Sequence, residues 1–130
     1  MQENSLLNRS SLELAYIGDA VFELMVREHF FNNGASRAAN LHYNSVALVC
    51  AKSQAISALA IEPLLNDEEH AVFQRGRNAK PKTIPKAADH ADYMRATALE
   101  ALFGWLYLSG RKERLSEMFE AALGAGMAGL

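Results

Sequence analysis

Residues 14–30 read LAYIGDAVFELMVREHF, and how this stretch is taken decides the fold. Leu14, Ile17, Val21, Leu24 and Met25 recur at helical spacing, while Tyr16, Ala20, Phe22 and Val26 fill the other side. A helix that is apolar nearly all round is one that is buried. Two residues sit badly in it. Gly18 weakens a helix interior by about 1 kcal/mol relative to alanine. Asp19, next to it, brings a carboxylate whose burial without a partner costs several kcal/mol. Such an acid must be paired, bound to a cation or turned toward a wet cleft.

The helical period continues outward from this stretch, and no convincing strand alternation competes with it, so the fold class is all-α. The first helix starts at Ser11, a suitable N-cap, and runs to Phe31, where NNG at 32–34 stops it. Ser36 caps a second segment, one long helix or two, that ends before Pro63. Asn66, followed by Asp67, Glu68 and Glu69, opens a helix to about Arg77, because acids suit the positive end of the helix dipole. Pro81 and Pro85 then forbid a continuous helix. ADHADYMRATALEALFGWLYLSG makes another long helix, ended by Ser109 and Gly110, and RKERLSEMFEAAL a final amphipathic one. The N-terminal MQENSLLNRS and the C-terminal GAGMAGL read as frayed ends. A length of 130 residues suits one domain, with no internal repeat or linker.

Half the residues are hydrophobic and 22% are charged, the composition of an ordered globular chain. No apolar run is long enough for a bilayer, and the polar N-terminus lacks a signal peptide's basic start and apolar centre, which excludes a membrane partner. Cys50 is the only cysteine, so neither a disulfide framework nor a thiolate metal cluster is available, and a cytoplasmic location follows. Cys50 itself reads as a small core residue. His29, His42, His70 and His90 show no paired ligand spacing.

Charge is unevenly spread. RGRNAKPKTIPK, residues 75–86, carries Arg75, Arg77, Lys80, Lys82 and Lys86 and no acid, in a chain whose net charge is −2. A second oddity matches Asp19. Glu100 is the one charged residue between Arg95 and Arg111, and its helical neighbours Ala96, Thr97 and Gly104 are small, as Ala15 and Gly18 are beside Asp19. Small residues let two helices cross closely, so their few polar groups meet. Two carboxylates meeting in an apolar cleft need a proton or a cation between them, and Mg²⁺ with its oxygen ligands is a natural bridge. The alternative is that each acid pairs with an arginine, as Glu23 and Arg27 do by their i, i+4 spacing.

LAYIGDAVFE resembles the signature helix of the ribonuclease III catalytic domain, and ALEALFGWLYLSG resembles that family's second acidic motif. The stretches LAYIGDA, AKSQA and RGRNAK, in that order, are similar to those of its short branch, Mini-ribonuclease III, which lacks a double-stranded-RNA-binding domain. The resemblance runs from about Leu12 to Leu123. Ala15 and Thr97 stand where longer members of the family carry further acids.

The resemblance implies a ribonuclease III-type fold acting as a symmetric homodimer, since one site cuts one strand and a duplex has two. It implies Mg²⁺-dependent hydrolysis of double-stranded RNA to 5′-phosphate and 3′-hydroxyl ends, with Mn²⁺ as a substitute. Asp19 and Glu100 are then the catalytic metal ligands, holding one ion, with a second held mainly by substrate phosphate. Glu23 and Thr97 are their supporting neighbours. Arg75, Arg77, Asn78, Lys80 and Lys82 are the RNA contacts, with Lys52 and Gln54 of AKSQA behind them. The physiological RNA implied is the large-subunit (23S) ribosomal RNA precursor. Two other functions compete: an all-α nucleotide pyrophosphohydrolase, which needs clustered glutamates on facing helices, and a non-catalytic RNA-binding ribosome-assembly factor.

Overall fold

The computed structural model describes residues 6, 8–33, 38–80, 83–84, 86 and 89–129. Among the described residues six α-helices follow one another: α1 (Ser11–Asn32), α2 (Ala38–Val49), α3 (Ala51–Ile61), α4 (Asp67–Arg77), α5 (His90–Leu108) and α6 (Lys112–Ala128), with a 3₁₀ turn at Glu62–Leu64 before α4. Among the described residues there is no strand, as the periodicity requires.

Local chemistry sets most of the helix ends. α1 starts one residue earlier than expected in capping terms: Ser10 is the N-cap, its hydroxyl accepting from Glu13 N–H while the Glu13 carboxylate accepts from Ser10 N–H. Asn66 and Glu69 form the same reciprocal box on α4. α5 ends at Gly110, whose φ of +76° lets Arg111 N–H reach the Leu106 carbonyl at 3.0 Å and Gly110 N–H reach Tyr107 at 3.1 Å.

α5 is the centre. It packs against α1, α3, α4 and α6, and Ala96–Leu99 with Ala101–Leu106 are all buried. Phe22 of α1 meets Phe103 edge-on at 5.3 Å and Phe119 of α6 at 6.0 Å, closing the core across three helices. Phe103 and Trp105 are core residues, whereas Tyr107 is 56% exposed.

α1 crosses α5 at two glycines. A Cβ on Gly18 would run into the carbonyl oxygen of Glu100, and one on Gly104 into that of Leu14, so the two backbones touch. That contact decides which side of α1 is buried. Leu14, Ala15, Gly18, Phe22 and Val26 face inward. Leu24, expected among the buried residues, lies 56% exposed instead, and Tyr16 is 80% exposed.

Other expectations change too. Leu6, in the segment read as frayed, is fully buried; its neighbours 1–5 and 7 lie outside the described residues. GAGMAGL does not fray at its start: α6 continues to Ala128, because Gly126 lies against Ser57 Oγ and Leu48 of the neighbouring helices. Cys50 is not in the core; it is the exposed N-cap of α3. Glu69 is buried, held bidentately by Arg114 at 2.7 and 2.9 Å, which ties α4 to α6. Burial alone raises the Glu69 carboxyl, but the Arg114 guanidinium and the Asn66 amide more than offset it and hold it below the usual range.

Gly104→Ala tests the crossing. Helix propensity alone would stabilise this variant by about 1 kcal/mol. A methyl driven into backbone outweighs that, so a net loss of about 2–3 kcal/mol in urea unfolding is expected; a gain in stability would contradict the contact.

Candidate active site

The glycine crossing fixes what stands beside it. Asp19 follows Gly18 on α1, and Glu100 supplies the carbonyl against which Gly18 rests. Their side chains come together: Glu100, half-buried, shares a hydrogen bond with the exposed Asp19. Two carboxyl groups bond in this way only when one carries a proton. Burial, that bond and the Asp19 charge push the Glu100 carboxyl up to about 8. At neutral pH the pair thus holds a proton that an isolated glutamate would have lost.

The arginine alternative is not realised. Arg27 pairs with Glu23 at 3.6 Å and Arg9 with Glu13 at 3.3 Å, and among the described residues no ion pair reaches Asp19 or Glu100. No third Asp, Glu, His or Cys among the described residues completes a metal cluster with them. The donor set still suits a hard divalent cation, which takes carboxylate oxygens and keeps its remaining positions for water and phosphate. Clustered glutamates of the kind a pyrophosphohydrolase uses are absent among the described residues. Of the supporting residues, Glu23 stays with Arg27, and the buried Thr97 donates its hydroxyl to the Tyr93 carbonyl at 2.9 Å.

The basic residues do not form one surface. Arg75, Asn78 and Lys80 line an open cleft of about 630 Å³ between the end of α4 and the start of α1, together with Ser10, Leu12 and Gln74. Arg75 closes it on one side by donating to the Arg9 carbonyl at 3.3 Å. Arg77 points elsewhere, bonded to Glu62 at 3.4 Å, where His70 also meets Glu62 at 3.2 Å. Positions 75 and 77 are 200° apart around a helix, so one run of cations divides between two flanks. Lys82 lies outside the described residues.

Lys52 is exposed in the first turn of α3. Gln54 is 3% exposed, so its side chain is part of the interior and not of a surface that RNA can reach. Sequence reading passed over Gln74, which is neutral and therefore invisible to a charge count. Its spacing of four from Asn78 is the signal that would have found it.

Gly76 connects the cleft to the acid pair. It lies against Ala98, Ala101 and the Thr97 carbonyl of α5, the residues flanking Glu100. On the other side, Ser11 and Asp19 are eight residues apart on α1, about 12 Å along its axis. Cleft and acids therefore share α1, and α5, which carries Glu100, also supports the end of α4 that lines the cleft.

Comparison with known proteins identifies the family. Residues 12–111 match the ribonuclease III domain. A Mini-ribonuclease 3 from Symbiobacterium thermophilum is 46% identical over 111 residues, covering 85% of each chain. One from Enterococcus faecalis is 39% identical over 120 residues, covering 91% of this chain and 89% of its own. Among solved structures, a Fusobacterium nucleatum protein superposes with a TM-score of 0.81 at 31% identity, covering 90% of this chain and 93% of that one. The chain therefore belongs to the ribonuclease III family, in its Mini-ribonuclease III branch, and is an endoribonuclease.

Proposed function

We propose that this endoribonuclease hydrolyses double-stranded RNA with Mg²⁺ held by Asp19 and Glu100, leaving 5′-phosphate and 3′-hydroxyl ends. The observation that carries the reading is the meeting of the Asp19 and Glu100 side chains at the α1–α5 glycine crossing, where burial and the Asp19 carboxylate raise the Glu100 carboxyl. A fold has little reason to press two acids together in a half-buried place unless a cation takes the proton's position. When bound there, the ion supplies a water of lowered pKa and neutralises charge growing on the scissile phosphate. The chain's own work is to hold the two carboxylates rigidly, through backbone contact at Gly18 and Gly104, and to seat the duplex. Arg75, Lys80 and Asn78 serve the second task by meeting phosphates and hydroxyls of A-form RNA, which is recognised by shape across its wide minor groove.

A symmetric homodimer supplies the second cut. Its support is the outward face of α1, where Tyr16, Ala20 and Leu24 follow one another at spacings of four, all exposed. Among the described residues no helix is long and apolar enough to cross a membrane, and with a single cysteine the cytoplasm is the proposed compartment. Precursor 23S ribosomal RNA is the proposed substrate, by likeness to the branch.

Three measurements test this reading. Asp19→Asn and Glu100→Gln should each keep the fold by circular dichroism and lose well over roughly 10²-fold in duplex cleavage, since even groups behind a metal ligand cost that much. Wild-type rates in either would remove the site.

The second test is stability against pH without metal. A glutamate raised to about 8 stays protonated when folded but ionises near 4.5 when unfolded. Its favourable contribution is complete below about 4.5 and is lost progressively as pH climbs to about 8. Glu100→Gln should therefore gain in melting temperature relative to wild type across that window. Magnesium affinity should rise with pH over the same interval, because the Glu100 proton must leave before both carboxylates can serve as ligands. Parallel melting curves for the two proteins at every pH would contradict the shared proton.

The third uses salt. Arg75→Ala combined with Lys80→Ala should lower the slope of log K against log salt for duplex binding by about two, near one per lost phosphate contact. Arg77→Ala, already committed to Glu62, should change it by less than one; equal effects would put both flanks of α4 on the RNA.

A further inference from the structure

Resting on the reading of the protein as a duplex-RNA nuclease, we infer that Gln74 and Asn78 form an amide pair that reads the ribose edge of the RNA minor groove. Gln74 is thus a substrate-discriminating residue. The two lie one turn apart at the end of α4, both exposed and both lining the cleft beside the start of α1. Their spacing is locked by backbone. Asn78 N–H donates to the Gln74 carbonyl at 3.0 Å, and Ala79 N–H donates to the Gly76 carbonyl at 3.3 Å as the helix closes. Gly76, between them, rests on α5 beside Glu100, so the pair is carried on the same support as the acids.

Their chemistry is free for a ligand. Two other side-chain amides of the fold are spent internally: Asn66 caps α4, and Asn33 donates to the His29 carbonyl at 2.7 Å. Among the described residues, Gln74 and Asn78 make no side-chain hydrogen bond. At the start of α1 the capping box engages the N–H groups of Ser10 and Glu13, and the Gln74 and Asn78 side chains add amide donors and acceptors to the cleft.

Charge identifies the occupant. The cleft is lined by Arg75 and Lys80 and by no acid, which fits a polyanion, with Leu12, 39% exposed, offering an apolar surface to a sugar. A carboxamide both donates and accepts, as a 2′-hydroxyl does, and the 2′-hydroxyl is the group that separates RNA from DNA at a contact. The cations hold phosphates on either side while the amides test for ribose.

The test couples a chemical change in the RNA to a change in the protein. Wild type and Gln74→Ala are titrated, in chelator so that no cutting occurs, with a blunt RNA duplex and a set carrying single 2′-deoxy substitutions along one strand. Wild type should lose about five-fold in affinity at one or two positions, the scale of one net hydrogen bond. Gln74→Ala should lose nothing further at one of those positions, while its salt slope stays that of wild type because no charge is removed. Deoxy penalties that persist unchanged in Gln74→Ala at every position would overturn the inference and leave the nuclease reading standing. Failure of wild type to bind the duplex at all would overturn both.

Discussion

Backbone resting on backbone is the constraint from which the rest follows. Gly18 and Gly104 have no side chains to hold α1 and α5 apart, so the helices approach until carbonyl oxygens of Leu14 and Glu100 fill the space a methyl would need. Two glycines in helix interiors cost about 1 kcal/mol each, and the close contact is what that cost secures. It sets the rotation of α1, turning Phe22 toward Phe103 and Phe119 and leaving Tyr16 and Leu24 outside. It also places Asp19 against Glu100, so that two acids distant in sequence must share either a proton or a cation. A methyl at either glycine therefore disturbs the fold and the site together.

Much of the fold was legible because helix ends are written locally. Asn66 with Glu69, and Ser109 with Gly110, act through bonds spanning a few residues, and the chain stops and starts where they say. The acid pair was legible in part. Small residues beside each lone acid indicated a close crossing, and the family resemblance turned that indication into a site. The misreadings all depend on contacts far along the chain. A helix apolar on every side does not reveal its buried face, so Leu24 went the wrong way. Gly124 and Gly126 read as a frayed end because the packing of Gly126 on Ser57 is set by tertiary structure. Arg77 looked like its neighbours because Glu62, which holds it, is fifteen residues away. Gln54 looked polar and available, and its helix buries it.

The division of the basic segment gives the protein a plain logic. One flank of α4, with Arg75, Asn78 and Gln74, opens on the cleft, while the other is neutralised by Glu62 and braced by His70. The Glu69–Arg114 pair fixes the start of α4 to α6, and Gly76 fixes its end to α5 beside Glu100. A helix held at both ends presents its open flank at a constant position relative to the acids.

The central claim is that the α1–α5 crossing makes Asp19 and Glu100 one proton-sharing, cation-ready unit. Its most direct measurement is a carbon-13 NMR titration of the Glu100 side-chain carboxyl, without metal and at saturating magnesium. The account predicts a midpoint near 8 without metal, and with magnesium a carboxyl already ionised at neutral pH. A midpoint at the ordinary glutamate value near 4.5, indifferent to magnesium, would contradict it.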